Sequence, residues 1–514
     1  MLMRLHLWLS HMTPVRDRPI LKRHRRALLL AFCLPALGLF AFLPSGLRAD
    51  MALPQISSKL SLSANLRVRG EFWDWFEGSS GDNSYAYAAT VAKFGLKWSD
   101  ELFDLHVEAQ NSSLMGLPDD ASAPAPQAAF GLGPVYRAHN RRNNDSGIFL
   151  KQAHLTLKKL GIPGLTVKGG RHLIAEGAEV LSQEPTIDWI KRFRVSQRLV
   201  GPFGWSHVGR SYDGFTLSYT RDAYNLTVHG SHPTQSGFDL AGIKTIDDID
   251  LLYTGFNITR PSFAKTSDAR LFYIYYADGR GLRPTDNRPA AVRNADRQHI
   301  AIHTGGGNLI HLLPTPAGPI DLMGWGVGQG GDWGRQDHAA WALAFEAGWQ
   351  PHGLPWKPWL RVGYNRSSGD DDPNDGDHET FFQVLPTARV YSFTTFYNLM
   401  NNEDAFLQLI LRPLEGLIWR TDFHNIRVSE KNDLWYQGAG ATLEDRQVGF
   451  GYVGRPAFGK RGLFQIIETT LSYTVNKHVN VNVFFAHVFG DSIVDHIFPG
   501  DDANFGYIEM TLRI

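Results

Sequence analysis

From Lys59 onward one pattern dominates the chain: apolar side chains at every second position, with polar or charged ones between them. A period of two is the mark of a β-strand with one apolar and one polar face. Leu60, Leu62, Ala64, Leu66 and Val68 alternate with Ser61, Ser63, Asn65, Arg67, Arg69 and then Glu71. Ala92, Phe94, Leu96 and Trp98 alternate with Lys93, Gly95 and Lys97, and after Ser99-Asp100-Glu101 the pattern resumes with Phe103, Leu105, Val107 and Ala109 opposite Asp104, His106, Glu108 and Gln110. That is a hairpin with a short turn. Comparable units include Leu271/Tyr273/Tyr275, Ile300/Ile302, Trp341/Leu343/Phe345/Ala347/Trp349, Leu360/Val362/Tyr364, Leu417/Trp419 and, last, Ile508/Met510/Leu512/Ile514. The tally is about eighteen strands.

Connections between these units alternate in length. Short turns fall at Lys159 to Gly164, Arg221 to Tyr224, Pro413 to Gly416 and Asn476 to His478. Long polar or Pro/Gly-rich segments fall at Ser112 to Ser146, Pro233 to Asp248, Asp278 to Arg297, Ser367 to Arg389 and Gly490 to Asn504. Short turns at one rim and long loops at the other describe an all-β, transmembrane, antiparallel up-and-down barrel, with the short turns periplasmic and the long loops extracellular. Trp73, Trp75, Trp98, Tyr219, Tyr275, Trp349, Trp356 and Trp359 lie near strand ends and are expected to form the two interfacial girdles such a barrel carries. A soluble sandwich array or a β-helix is disfavoured, since no repeat motif recurs and neither needs long loops at one rim only.

The first 49 residues read as a cleaved secretory leader: Lys22, Arg23, Arg25 and Arg26 run into an apolar stretch from Ala27 to Leu43, and Leu47-Arg48-Ala49 supplies the small-residue cleavage site. Pro35, Gly38 and Pro44 interrupt the stretch, against an uncleaved anchor. A single barrel domain is expected from residue 50 to 514, as no linker divides it. The leader holds eight of the 51 Lys and Arg but only one of the 51 Asp and Glu, so the remainder carries 43 basic against 50 acidic groups, net −7. That balance excludes a general nucleic-acid binder. The only cysteine, Cys33, lies in the leader, which excludes disulfides, thiolate metal centres and a cysteine nucleophile from the rest.

In a closed barrel the apolar face meets lipid and the polar face meets the lumen. An Arg or Lys facing lipid near mid-membrane would cost about 2–4 kcal/mol, so Arg67, Arg69, Lys93, Lys97, Arg361 and Arg420 are expected to point inward. A barrel of this size is too wide for side chains alone to fill, so water, inward-folded loops or both must occupy it. The inward arginines admit two readings. They attract anionic solutes through bidentate, releasable contacts, or they pair with Glu71, Asp104, Glu108, Glu346, Asp422 and Glu468 and stiffen the wall.

Three stretches carry a resemblance to a known family: LRVGYNRSSGDDDPNDGDHETFFQVLPTARVYSFTTFY from Leu360 to Tyr397, RLVGPFGWSHVGRSYDGFTLSY from Arg198 to Tyr219, and the ending DDANFGYIEMTLRI. They resemble the alginate export proteins, which are outer-membrane barrels of Gram-negative bacteria. The resemblance implies passive diffusion of an anionic polysaccharide through an arginine-rich pore narrowed by inward loops. Carried over as pore-lining candidates are Arg67, Arg69, Arg171, Arg194, Arg210, Arg361 and Arg420. Two features depart from the pattern: the last residue, Ile514, is not aromatic, and the net charge is negative. A general porin or small-metabolite uptake channel of the same family is the alternative. Expected partners are an anionic saccharide or small anionic solute, outer-membrane lipid and the barrel-assembly machinery.

The run Asp370-Asp371-Asp372-Pro373-Asn374-Asp375-Gly376-Asp377 invites a structural calcium at Asp370 and Asp372, but Gly376 is one place late for an EF-hand and Phe381 stands where its bidentate Glu belongs. No other cofactor is expected. An outer-membrane enzyme would need a nucleophile and base on one face. Ser206-His207 would point to opposite faces of a strand, whereas His229 and Ser231 share one; no G-x-S-x-G elbow accompanies either, so no enzymatic activity is expected.

Overall fold

A computed structural model describes residues 58–235, 237–387, 391–438, 440, 442 and 451–514. The leader and its cysteine lie outside the described residues. Eighteen strands form one closed antiparallel barrel. They are β1 (Leu60–Asp74), β2 (Ser84–Ser99), β3 (Phe103–Met115), β4 (Asp145–Leu157), β5 (Leu165–His172), β6 (Tyr212–Thr220), β7 (Tyr224–Pro233), β8 (Ile249–Ile258) and β9 (Ser267–Asp278). The second half comprises β10 (Ile300–Leu313), β11 (Ile320–Trp333), β12 (Gln336–Trp349), β13 (Trp359–Ser367), β14 (Glu403–Leu411), β15 (Leu417–Arg427), β16 (Gly462–Thr474), β17 (Val479–Gly490) and β18 (Asp502–Arg513). Each strand pairs with its neighbours in sequence, and β1 closes the sheet on β18 from Asn65↔Arg513 to Asp74↔Asn504. Closure leaves no unpaired sheet edge, which a bilayer requires. Among the described residues no helix is long and apolar enough to cross a membrane; the strands cross it.

The two faces separate as the alternation demands. Phe94, Leu271, Phe345, Val362 and Leu407 stand exposed on the outer wall, while Arg69, Glu71, Glu346, Arg361 and Asp422 are buried inside. Three aromatic assignments are corrected. Trp73, Trp75 and Trp359 are at most 1% exposed and sit inside the barrel instead of in a girdle. Parity explains two of them: Trp73 follows Arg69 and Glu71 at steps of two, and Trp359 precedes Arg361 by two, so both continue the inward face. Trp349 and Trp356 do stand exposed. Ile300 and Ile302 also face inward, buried in the internal core. An inner wall becomes apolar wherever it is packed by protein instead of washed by water.

That packing comes from loops. Segment 173–211 between β5 and β6 and segment 368–402 between β13 and β14 fold into the lumen, bringing Ile187, Ile190, Leu199, Val200, Phe382, Leu385 and Phe396 to full or nearly full burial. A second long loop that the alternation does not announce, 428–461, joins β15 to β16 and carries the short hairpin Leu434–Gly438/Tyr452–Pro456. Trp73 anchors the aromatic part of this interior, stacking on Phe505 at 4.0 Å between ring centroids and on Phe396 at 5.9 Å.

The loop-filled lumen as candidate functional site

Segment 173–211 starts its work with a short helix. Glu184 caps Pro185–Ile190 by accepting from the Ile187 N–H at 2.7 Å, and Pro185 at the first position forfeits no hydrogen bond. The helix runs into a π-helical turn, Lys191–Val195, and then breaks at Gln197, whose φ is +66°. The turn points Lys191, Arg194 and Val195 inward, all fully buried. At Gly177, with φ +87°, an added Cβ would lie 3.0 Å from the Ser196 Cα, so only glycine lets the two arms of the segment meet.

The segment then spans the barrel from wall to wall. Lys191 Nζ reaches Asp268 of β9 at 2.5 Å, and Glu176 accepts from Arg270 of the same strand at 2.6 Å. Arg194 donates through Nε to both oxygens of Glu346 on β12 at 2.9 Å. Glu346 also receives Arg361 from β13 at 2.9 Å and lies 3.4 Å from the Arg198 guanidinium, so one buried carboxylate gathers three cations. Arg361 is bonded at its other end to Asp321. Across the lumen, Arg67 donates to the carbonyls of Gly204 at 2.9 Å and Ser206 at 2.6 Å, and Lys151 donates to the Val208 carbonyl at 3.1 Å. Arg69 pairs with Glu509 of β18 at 2.6 Å and with Glu71 at 3.3 Å. Burial pushes the loop imidazole of His207 down to about 4, so it is neutral and its Nε2–H donates to Glu71 at 3.0 Å.

Segment 368–402 packs on top of the first. Val200 and Leu385 form a parallel bridge, and Arg210 donates to the carbonyls of Gly201 at 3.2 Å and Leu385 at 2.8 Å. Arg171 makes a bidentate pair with Asp213 at 2.8 and 2.6 Å, and Arg420 pairs with Asp422 through Nε at 2.7 Å. Six of the seven sequence-nominated arginines, Arg67, Arg69, Arg194, Arg210, Arg361 and Arg420, therefore point inward, each engaged by a carboxylate or a loop carbonyl. The seventh is corrected: Arg171 is adjacent on β5 to the inward His172 and so lies on the opposite face, paired with Asp213 and the Thr245 hydroxyl. Of the two sequence readings, the contacts present are those of the pairing one. Arg198, Arg270 and Lys191 belong to the same buried network, though sequence reasoning did not nominate them; the parity of β9 would have revealed Arg270, one step from the outward Leu271.

A different inner surface carries free cations. Near the short-turn rim, Lys97 of β2 lies opposite His106 of β3, and His106 lies opposite His154 of β4. Lys168 of β5 is inward too, one register position from the His154↔Gly170 pair's neighbour Gly169. Among the described residues neither Lys97 nor Lys168 makes an ion pair. The row continues as His172 and His229, bridged by the Thr216 hydroxyl at 2.8 and 2.9 Å.

The remaining candidates separate. His229 Nε2 and Ser231 Oγ do meet, at 2.7 Å, but Nδ1 is held by Thr216, where a catalytic dyad would have a carboxylate. Ser206 and His207 are in a loop and not a strand: the Ser206 hydroxyl accepts from the Gly209 N–H at 2.8 Å while His207 turns to Glu71. Asp370 is buried and Asp372 exposed, and the acid that approaches Asp370 is Asp433, whose Oδ2 accepts the Asp370 N–H at 3.1 Å.

Comparison with known proteins agrees with this architecture. A family model described as alginate export matches residues 59–495. No curated protein matches the sequence. Among solved structures, OccAB1 of Acinetobacter baumannii superposes with a TM-score of 0.55 at 10% identity, covering 88% of this chain and 96% of that one. OccK9 (OpdG) of Pseudomonas aeruginosa gives 0.54 at 12% identity, covering 88% and 98%. OpdK of the same organism, solved with vanillate, gives 0.50 at 10% identity, covering 88% and 98%. At such identities the likeness is one of fold.

Proposed function

This chain belongs to the alginate export family and is an outer-membrane channel, and from that premise we propose that it passes an anionic polysaccharide, entering along the lysine–histidine wall at the short-turn rim. The observation that carries this reading is the contrast between two sets of cations. The buried arginines are spent on holding loops 173–211 and 368–402 in the lumen, whereas Lys97 and Lys168 face inward without an ion pair. A polyanion reaching the short-turn rim, the periplasmic one, meets those lysines and the flanking His106 and His154 first. Unpaired cations raise local anion concentration without binding it tightly, which suits a passive channel. Passage then requires the loops to shift, and the carbonyl-held Arg67 and Arg210 are the arginines such a shift would free for anion contact. We assign no catalysis to the barrel.

A smaller anionic solute is the second reading, favoured by how much of the lumen the loops occupy. Planar-bilayer recordings of the refolded barrel distinguish the two. Reversal potentials in a salt gradient should show anion selectivity that Lys97→Glu with Lys168→Glu removes, and oligomeric uronate should block the wild-type current. Anion selectivity without uronate block leaves the small-solute channel; cation selectivity sinks both.

A further inference from the structure

We propose that Asp422, His424 and Glu468 form a binding site for one divalent transition-metal ion, zinc in the first instance, on the inner wall of the barrel. Asp422 and His424 are two residues apart on β15 and share its inward face. Glu468 of β16 is directly opposite Asp422 in the antiparallel register. Ligand atoms from the three side chains all lie within 4.8 Å of one another, and all three residues are buried.

The distances within the cluster argue for an ion. His424 Nε2 stands 3.9 Å from Asp422 Oδ2 and 4.0 Å from Glu468 Oε1. Those separations are too long for hydrogen bonds. They leave room for one ion between the groups: ligands about 2.0–2.2 Å from a tetrahedral zinc lie about 3.4 Å apart, so the three side chains need close by only about half an ångström to hold it. His424 Nε2 and Asp422 Oδ1 make no hydrogen bond although both residues are at most 1% exposed.

The surroundings supply what a metal-bound histidine needs. On its far side, His424 Nδ1 lies 3.0 and 3.1 Å from the two oxygens of Asp404, whose Oδ2 also accepts the Tyr397 hydroxyl at 3.0 Å. A carboxylate behind the ring places the proton on Nδ1 and turns the Nε2 lone pair toward Asp422 and Glu468, the usual orientation of a histidine ligand. Glu468 is fixed by segment 368–402: its Oε2 accepts from the Ser392 hydroxyl at 3.0 Å and the Thr394 hydroxyl at 2.7 Å, and its Oε1 from the Phe393 N–H at 2.9 Å. Charge points the same way. Asp404, Asp422 and Glu468 bring three carboxylates against the one guanidinium of Arg420, an excess of negative charge that a bound cation offsets. The donor set of one imidazole and two carboxylates, with no thiolate in the mature sequence, suits zinc or a neighbouring first-row ion over copper(I).

The test uses the refolded mature barrel in detergent, stripped with chelator and then given zinc or cobalt(II) alone. Wild type should retain one zinc per chain after desalting, and its cobalt form should show the intense visible absorption of a low-symmetry four-coordinate site. His424→Gln and Asp422→Asn, checked for folding by heat-modifiable electrophoretic mobility, should lose both. Zinc retained equally by the folded variants would assign it to other histidines and overturn the proposal. Should the variants not fold, the wild-type cobalt spectrum decides alone: only the weak bands of hydrated cobalt would overturn the site.

Discussion

The Nε of Arg194 lies 2.9 Å from both carboxylate oxygens of Glu346, and neither side chain is exposed to solvent. One partner comes from an inward loop and the other from strand β12, so this pair fastens the loop to the wall. Glu346→Ala would take the carboxylate from Arg194 and Arg198 and leave Arg361 with Asp321 alone. Removing one side of a buried pair costs about 3–5 kcal/mol, because the remaining charge is left uncompensated. The expected outcome is a lower midpoint in denaturant and a larger, noisier conductance as segment 173–211 leaves the wall. Arg194→Met should do less, since Arg361 still satisfies Glu346. Equal effects of the two substitutions would refute this hub.

The contact between the two inward segments can be locked. Val200 and Leu385 face each other across a parallel bridge, flanked by hydrogen bonds of 2.8 Å from the Leu385 N–H to the Leu199 carbonyl and 2.9 Å from the Gly201 N–H to the Leu385 carbonyl. Paired backbones of this kind bring Cα atoms to about 5 Å, within disulfide reach. Cys33 is the only cysteine of the sequence, so in a chain that starts at residue 50 Val200→Cys with Leu385→Cys introduces a single possible crosslink. Under oxidation, current fluctuations and uronate block should fall together, and a reductant should restore both. Unchanged currents in a crosslinked sample would mean that solute passes without these loops parting.

Trp73 lies at the heart of the aromatic interior, stacked on Phe505 and donating its indole N–H to Glu71 at 3.2 Å. Trp73→Ala removes a fully buried ring and leaves a cavity, a loss of about 3–5 kcal/mol. Trp356→Ala, on the exposed outside, should cost little by comparison. Unfolding monitored by heat-modifiable mobility compares them directly. Equal losses would place Trp73 in the girdle after all.

How much of this was legible in the sequence depended on which side of the wall met water. Alternation told the two faces of each strand apart, and where the lumen face was charged, as at Arg67, Arg69 and Arg361, it also told which face was inside. At Ile300 and Ile302 the lumen face is apolar because loops lie against it, and the same alternation then pointed the wrong way. Trp73 was readable by its parity with Arg69 and Glu71, yet position near a strand end outweighed that parity. The contacts that make the site were beyond local pattern: Arg194 and Glu346 are 152 residues apart, and nothing near either announces the other. Segment 173–211 does not read as a loop because it carries its own apolar residues, the ones that fill the barrel.

Where segment 368–402 leaves β13, two buried acids meet. Asp433 Oδ2 accepts from the Asp370 N–H at 3.1 Å and from the Thr380 hydroxyl at 2.6 Å, while its Oδ1 accepts from the Tyr436 hydroxyl at 2.8 Å. Burial raises the Asp433 carboxyl to about 6, and burial together with the nearby Asp433 charge raises Asp370 to about 7. Both lie above the ordinary value of about 4. Between about pH 4 and pH 7 the folded protein therefore holds protons that the unfolded chain has released, so stability from this junction is present at low pH and is lost as pH rises through the folded values. Protease cleavage within segment 368–402 should accordingly quicken from pH 5 to pH 8. Asp370→Asn keeps the shape and removes the charge, so cleavage should stay slow across that range. A slope that survives Asp370→Asn would locate the titration in another group, and a slope of opposite sign would mean that the two acids are held apart as ions by a bound cation.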